Sequence, residues 1–226
     1  MNIADPGNPC SCCRDRRLSL CLATRPRTEP GARFVAALRF AVLLYGLRAA
    51  RRRARLRDGR RVLIRPIRPA DLGALRRFFA ALSPAISRLR FLGSMKEVPE
   101  RLLREFTGPD QREHFGIVAE ADGRSAEGGP LLVAEARYIR YPGSDAAEFA
   151  LVVADGWRRA GLGSLLMQTL LRQGRLAGVQ RLCGDAFTDN EAIRRLMRAH
   201  GAHPALRSDS TATFRLCVGT RHDRQS

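Results

Sequence analysis

The stretch Val152-Val-Ala-Asp-Gly-Trp-Arg-Arg-Ala-Gly-Leu-Gly163 decides the fold, because it carries the chain from an apolar strand through a basic, glycine-containing loop into a helix. The preceding residues, Ala147 to Val153, are apolar enough for a buried strand. Beyond Gly161, apolar residues recur at helical spacing as far as Leu171. The first turn of a helix has unpaired backbone N–H groups and the positive end of the helix dipole. The loop therefore predicts an anion site that suits a pyrophosphate.

The segments on either side of this loop alternate between strand and helix patterns. Residues 61–67 read as a strand, and Pro69-Ala-Asp71 opens a helix with the acid in its first turn, where the helix dipole favours it. The remaining predicted elements are two short helices ending near 106, a meander of three strands at 114–120, 131–139 and 147–153, a helix from 161 to 178, a strand at 179–183, a helix from 189 to 201 and a strand at 211–218. This order predicts an α+β fold in which helices flank both faces of a mixed, mostly antiparallel sheet.

The basic charge of the chain lies mostly near its N-terminus. Residues 1–60 hold fourteen arginines against four acids, a net charge of +10, and the whole chain carries +18. Lys96 is the only lysine among the 40 basic residues, so the chain uses arginine wherever it needs a cation. We interpret the excess of arginine as a feature of overall composition. Binding to nucleic acid or to an anionic membrane is possible through these residues, but we do not favour it.

Residues 1–57 are predicted to be a basic, cysteine- and arginine-rich extension, ahead of a folded domain at 60–220. From Arg33 to Arg57 the pattern predicts one amphipathic helix, which is too short to cross a bilayer and contains Arg39. We favour docking of this helix on the domain or on a second copy. Binding to a membrane surface is the alternative.

Four of the six cysteines, Cys10, Cys12, Cys13 and Cys21, crowd the N-terminus. Cys10 and Cys13 have the CxxC spacing of a zinc or cluster site, but neither a second CxxC nor a nearby histidine completes a set of four ligands. We therefore expect no metal. The apolar run at residues 18–23 is too short for a secretory signal, so we expect a cytoplasmic protein.

The loop Arg158-Arg-Ala-Gly-Leu-Gly163, between a strand and a helix, resembles the acetyl-CoA signature of the GNAT acetyltransferase superfamily. Residues 63–71 are similar to the opening strand and helix of that family, and residues 177–190 to its fifth strand and the following turn. The resemblance spans about residues 60–218. Four segments, 87–91, 134–138, 147–150 and 189–190, resemble the catalytic domain of bacterial protein-lysine acetyltransferases that act on acyl-CoA synthetases.

The resemblance implies acetyl-CoA as the acyl donor and a carboxylate that removes a proton from the acceptor amine. Glu148 matches the carboxylate of the family, and Glu135 on the neighbouring strand is the rival base. Glu148 also fits a solvated residue that alternates with Phe149 on a strand. Asn190 resembles a polar residue that faces the cofactor, and it also suits a helix cap. The residues to which the resemblance assigns cofactor binding are Leu151, Val152, Val153, Arg158, Arg159, Ala160, Gly161, Leu162, Gly163, Ser164 and Asn190.

The expected reaction is direct transfer of an acetyl group, in a ternary complex, from acetyl-CoA to an amine, for which a protein lysine is favoured. Leu196-Met197 stands where many GNAT enzymes have a tyrosine that protonates the leaving thiolate, so we expect the thiolate to leave unassisted. One alternative acceptor is a small amine, such as a polyamine, an amino acid or an antibiotic. A second alternative is a module that binds CoA without turnover while the arginine-rich arm contacts nucleic acid or membrane.

Overall fold

A computed structural model describes residues 50–125 and 128–218, and within them the chain forms an α+β fold on one eight-stranded sheet. The strands are β1 (Arg52–Arg55), β2 (Arg61–Pro66), β3 (His114–Arg124), β4 (Pro130–Arg140), β5 (Ala146–Val153), β6 (Arg181–Phe187), β7 (His203–Arg207) and β8 (Thr211–Cys217). The α-helices are α1 (Leu72–Ala80), α2 (Pro84–Phe91), α3 (Glu100–Thr107), α4 (Leu162–Leu176) and α5 (Glu191–Ala199). The predicted fold class is confirmed.

The sheet has the strand order β1-β2-β3-β4-β5-β6-β8-β7. Neighbouring strands are antiparallel except β5 and β6, which are parallel. Alternate side chains of the strands enter two separate cores. Phe115 and Ile117 of β3 lie in one core with buried residues of α4, whereas Val118 lies in the other core with buried residues of α1 to α3. Helices therefore cover both faces of the sheet.

The first strand corrects one prediction. Arg52–Arg55, expected at the end of a long helix, forms β1 and pairs with β2 across the Asp58-Gly59 turn. The helical prediction is wrong here because β1 is an exposed edge strand in which Ala54 alone is partly buried, so apolar alternation is absent. Residues 1–49, with the rest of the predicted helix and the four N-terminal cysteines, lie outside the described residues. No helix in the described part of the chain is long and apolar enough to cross a membrane.

A buried ion pair fastens the start of α1 to the sheet. Arg65 on β2 donates two hydrogen bonds to Asp71, at 2.7 and 2.8 Å, and a third to Glu120 on β3 at 2.9 Å. Asp71 also accepts a hydrogen bond from the backbone N–H of Arg68 at 2.9 Å. Asp71 was predicted to be stabilised by the helix dipole, but its main partner is the buried Arg65. This pairing ties the start of α1 to β2 and β3.

Candidate active site

A cleft opens in the sheet where the parallel strands β5 and β6 separate. Their pairing covers only residues 146–148 and 181–183, whereas β5 pairs with β4, and β6 with β8, along almost their whole length. Phe149 is the first residue of β5 beyond the paired part, and its ring lies over Gly184 of β6. An ideal Cβ on Gly184 would lie 2.5 Å from Cε1 of that ring, so a side chain at this position has no room. The glycine thus accommodates the ring at the point where the strands divide.

The loop before α4 forms one end of the cleft and has the geometry that suits an anion. Gly161 is the N-cap of α4 and has φ of +91°, in the left-handed region that favours glycine. The first hydrogen bond of α4 runs from the N–H of Leu165 to the carbonyl of Gly161 at 3.2 Å. The N–H groups of Leu162, Gly163 and Ser164 precede it and have no acceptor within the helix. The cleft has a volume of about 850 Å³, which is within the usual range for small-molecule sites.

The structure brings most of the predicted site residues together around this cleft. The predicted residues that line it are Glu148, Leu151, Val152, Val153, Arg158, Arg159, Gly161, Gly163, Ser164 and Asn190. The side chains of Ala160 and Leu162 are instead buried in the core, so their predicted contact with a cofactor is limited to the main chain. Asn190 Oδ1 accepts a hydrogen bond from the N–H of Ile193 at 3.2 Å. This residue therefore caps α5 while it lines the cleft, and the two roles considered for it are compatible.

The two carboxylates considered as the base have opposite surroundings. Glu148 has an exposed side chain that lines the cleft, and it is the last residue of β5 that pairs with β6. Glu135 is completely buried, and its two oxygens accept hydrogen bonds from Arg137 at 2.6 Å and Arg90 at 3.2 Å. Both oxygens of Glu135 are therefore engaged by guanidinium groups, and the residue does not line the cleft. The geometry therefore favours Glu148 as the candidate base.

The cluster around Glu135 continues to a neutral histidine. Arg137 lies 3.5 Å from the centre of the Phe106 ring, and its Nη1 lies 3.2 Å from Nε2 of His114. Burial, followed by the charge of Arg137, lowers the pKa of His114. The neutral ring can then accept a hydrogen bond from the guanidinium through Nε2. This side of the sheet thus contains a buried polar network that keeps Glu135 away from solvent.

Sequence reasoning missed the bank of the cleft that α2 forms. Ser83 donates from its N–H and its Oγ to the Asp155 carboxylate, at 3.2 and 2.7 Å, and these bonds lower the pKa of Asp155. They tie the start of α2 to the turn after β5, although the two residues are 72 positions apart. Arg88 of α2 lies over the Phe187 ring at the end of β6, at 4.0 Å. The residues of this bank are Ala85, Ile86, Arg88, Leu89, Arg90 and Leu92. Arg57, which follows β1, also lines the cleft and was also missed.

Ser164 couples the first turn of α4 to the end of α5. Its Oγ lies 3.0 Å from Nε2 of His200, and burial lowers the pKa of that histidine. A neutral imidazole can accept a hydrogen bond from the Ser164 hydroxyl, which holds this side chain in place at the mouth of the loop. The polar groups here are hydroxyl, imidazole and backbone N–H groups. Among the described residues, no group of three or more His, Cys, Asp or Glu side chains could hold a metal ion.

Comparison of the sequence with known proteins identifies its family. A family model described as the acetyltransferase (GNAT) family matches residues 84–202. An acetyltransferase of Pseudomonas aeruginosa is 34% identical over 148 residues, which are 65% of this chain and 77% of that protein. Acetyltransferase Pat of Mycolicibacterium smegmatis is 33% identical over 150 residues, which are 65% of this chain but only 43% of Pat. The chain thus spans less than half the length of this second relative.

Solved structures show the same fold. The GNAT domain of S. lividans PAT has a TM-score of 0.67 at 21% identity, over 75% of this chain and 97% of that domain. The structure of yncA from Salmonella typhimurium with its cofactor acetyl-CoA has a TM-score of 0.57 at 16% identity, over 73% and 98% of the two chains. The family model includes both strands of the cleft, the loop before α4, and α2. The chain therefore belongs to the GNAT family and is an acetyltransferase of that type, with a fold that binds acetyl-CoA.

Proposed function

We propose that this chain transfers the acetyl group of acetyl-CoA to the ε-amine of a protein lysine, directly and in a ternary complex, with Glu148 as the general base. The observation that carries the proposal is one cleft that contains both the loop Arg158–Gly163 and the exposed Glu148 carboxylate. A donor site and a proton acceptor in one cavity let the two substrates meet without a covalent enzyme intermediate.

The residues assigned to the donor suit the CoA part of acetyl-CoA. The first-turn N–H groups of α4, with Arg158 and Arg159 beside them, suit the pyrophosphate. Residues 149–153 of β5 have no β6 partner, so main-chain groups on that side can pair with the amides of the pantetheine arm. When bound, the donor supplies a thioester whose acyl carbon is open to attack by an amine.

Transfer requires a neutral amine, because an ammonium has no free electron pair. A lysine pKa is about 10.4, so the amine must lose a proton near neutral pH. Glu148 accepts that proton, directly or through a water, while the amine nitrogen bonds to the acyl carbon and the carbon–sulfur bond breaks. The sulfur leaves as a thiolate without an acid, because the pKa of a thiol is only about 8.5. Leu196 lines the cleft and Met197 is fully buried, so neither replaces a tyrosine acid.

The surroundings of Glu148 support a protein as the acceptor. Leu92, Ile139 and Tyr141 are large apolar side chains that are each about 40% exposed. Leu92 lines the cleft, and Ile139 is the partner of Glu148 on β4. Burial, followed by the charge of Glu148, raises the pKa of Tyr141 to about 12. Exposed apolar groups around a reactive carboxylate suit a protein surface. The resemblance to protein-lysine acetyltransferases adds an acyl-CoA synthetase as the proposed substrate, in the cytoplasm.

The test is mass spectrometry of acetyl incorporation from acetyl-CoA into an acyl-CoA synthetase of the same cell. We expect the wild-type chain to modify an active-site lysine, and Glu148→Gln to be at least about tenfold slower, because general base catalysis contributes about 10²- to 10⁴-fold. Glu97→Gln is the matched control. It makes the same change at an exposed loop glutamate outside the cleft, and it should leave the rate unchanged.

Three outcomes would contradict the proposal, the first two its substrate or its activity and the third its base. Acetylation of polyamines or amino acids, with no modified lysine in any protein, would replace the protein acceptor by a small amine. Binding of CoA without transfer to either class would leave a binding module. An unchanged rate in Glu148→Gln would remove only the assignment of the base.

A further inference from the structure

We propose that Arg57, which the sequence placed outside the catalytic domain, binds the phosphate groups of the CoA moiety. The inference rests on the proposed function, since it assumes acetyl-CoA in the cleft between β5 and β6. Arg57 follows β1 and belongs to the hairpin of β1 and β2 at the edge of the sheet. Its side chain nevertheless lines the central cleft.

The hairpin is anchored on the loop before α4 by two contacts. The backbone N–H of Arg57 donates to the carbonyl of Ala160 at 3.1 Å, directly before the N-cap Gly161. The guanidinium of Arg60 lies over the Trp157 ring at 4.0 Å. Leu56, between β1 and the turn, is buried in the same core as α4. The position of Arg57 relative to the loop is therefore set by main-chain and core contacts, and it does not depend on the Arg57 side chain.

The Arg57 side chain passes over the glycine of the anion-binding loop. An ideal Cβ on Gly161 would lie 3.6 Å from Nε of Arg57. The guanidinium thus stands beside the first turn of α4, on the cleft that Arg158, Arg159 and Ser164 also line. A guanidinium offers several N–H donors in one plane, which matches two oxygens of a phosphate. Together with the first-turn N–H groups it would contact the pyrophosphate.

The other arginines of the hairpin are placed differently. Arg60 is paired with Asp58 at 2.5 Å and stacked on Trp157, and an Nη of Arg55 lies 3.7 Å from the ideal Cβ of the turn residue Gly59. Neither residue lines the cleft. Among the described residues, no carboxylate lies within ion-pair distance of Arg57. An exposed cation that has no ion-pair partner in the described part of the chain, and that lies beside a loop suited to a diphosphate, is available for a ligand.

The experiment is calorimetric titration of the full chain with CoA, and with pantetheine measured by displacement. Arg57→Ala should weaken CoA binding about tenfold, which is the lower part of the range for a hydrogen bond to a charged group. Pantetheine has no phosphate, so its dissociation constant should be the same in the variant and the wild type. Arg57→Lys should recover part of the loss, because it restores the charge without the bidentate geometry. Arg53→Ala removes another exposed arginine, from β1 and away from the cleft, and should change neither constant.

Two results would overturn the assignment. Arg57→Ala could bind CoA as tightly as the wild type, or it could lose affinity for CoA and pantetheine by the same factor, which would indicate a general role in the shape of the cleft. Failure of the wild-type chain to bind CoA would be a different result, because it would remove the proposed function and this assignment with it.

Discussion

The buried cluster around Glu135 and the cleft both contain glutamate and arginine side chains, but these side chains have different partners in the two regions. In the buried cluster, the Glu135 side chain is 0% exposed and lies between Arg137 and Arg90, whose side chains are 3% and 8% exposed. Arg90 also lines the cleft and so joins the two regions. In the cleft, Glu148 and Arg158 are exposed. In the part of the chain that the structure describes, neither of these two forms an ion pair.

The difference follows from the cost of removing a charge from water. A buried carboxylate must be paired, since desolvation costs several kcal/mol per ion, and breaking the pair leaves that cost uncompensated. An exposed charge without a partner costs the fold little and remains free to bind a ligand. The comparison therefore predicts that substitutions in the buried cluster change stability, whereas substitutions in the cleft change binding or rate.

The largest effect is expected when the buried cluster is broken. Glu135→Gln keeps the size of the side chain but leaves two buried guanidinium groups without their counter-ion. We expect a loss of about 3–5 kcal/mol in the free energy of unfolding, measured by urea denaturation. Glu97→Gln, the same change on the surface, should shift it by less than about 0.5 kcal/mol. A stable Glu135→Gln variant that has lost its activity would break the comparison, because Glu135 would then act in the reaction.

A smaller effect is expected in the cleft. Arg158→Ala should raise the KM for acetyl-CoA about tenfold, by removing a charge-assisted hydrogen bond to the donor, and should shift the free energy of unfolding by less than about 0.5 kcal/mol. Arg53→Ala provides the control for the loss of one positive charge. Steady-state rates at varied acetyl-CoA concentration measure the KM, and urea denaturation of the same samples measures the free energy of unfolding. A clear loss of stability would place Arg158 among the structural arginines.

The sequence predicted those parts of the site that are local in the chain. A strand, a basic loop with Gly161 and a helix follow one another directly in the chain. Spacing and charge are therefore enough to predict an anion site there. Glu148 was assigned by its resemblance to the carboxylate of the GNAT family, because its position on a strand also fitted a solvated residue. The α+β order of elements was predictable for the same reason, as each long element has its own apolar period.

The sequence could not predict contacts between distant segments. Glu135 stayed a rival base because nothing local shows its pairing with Arg90, 45 residues away. The edge strands β1 and β7 were missed because they are short: β1 is mostly arginine, and β7 contains Pro204, which disfavours strand prediction. With β1 read as helix, Arg57 was assigned to the extension. The cytoplasmic location and the N-terminal arm remain predictions.

The smallest expected effect concerns the edge of the buried cluster and its dependence on pH. The folded-state pKa of His114 is lowered by burial and by Arg137, while Asp110, Glu105 and Glu135 oppose this shift. Between the folded and unfolded pKa values the unfolded chain binds more protons, so stability is lost as the pH falls below about 6.5. His114→Gln keeps an acceptor for Arg137 but cannot titrate. Thermal unfolding from pH 7.5 to 5.5 should therefore show a melting temperature that falls less in the variant than in the wild type, by a few degrees at most. If the melting temperatures of the two proteins fall equally with pH, the buried network tolerates a protonated His114, and the network ends at Arg137.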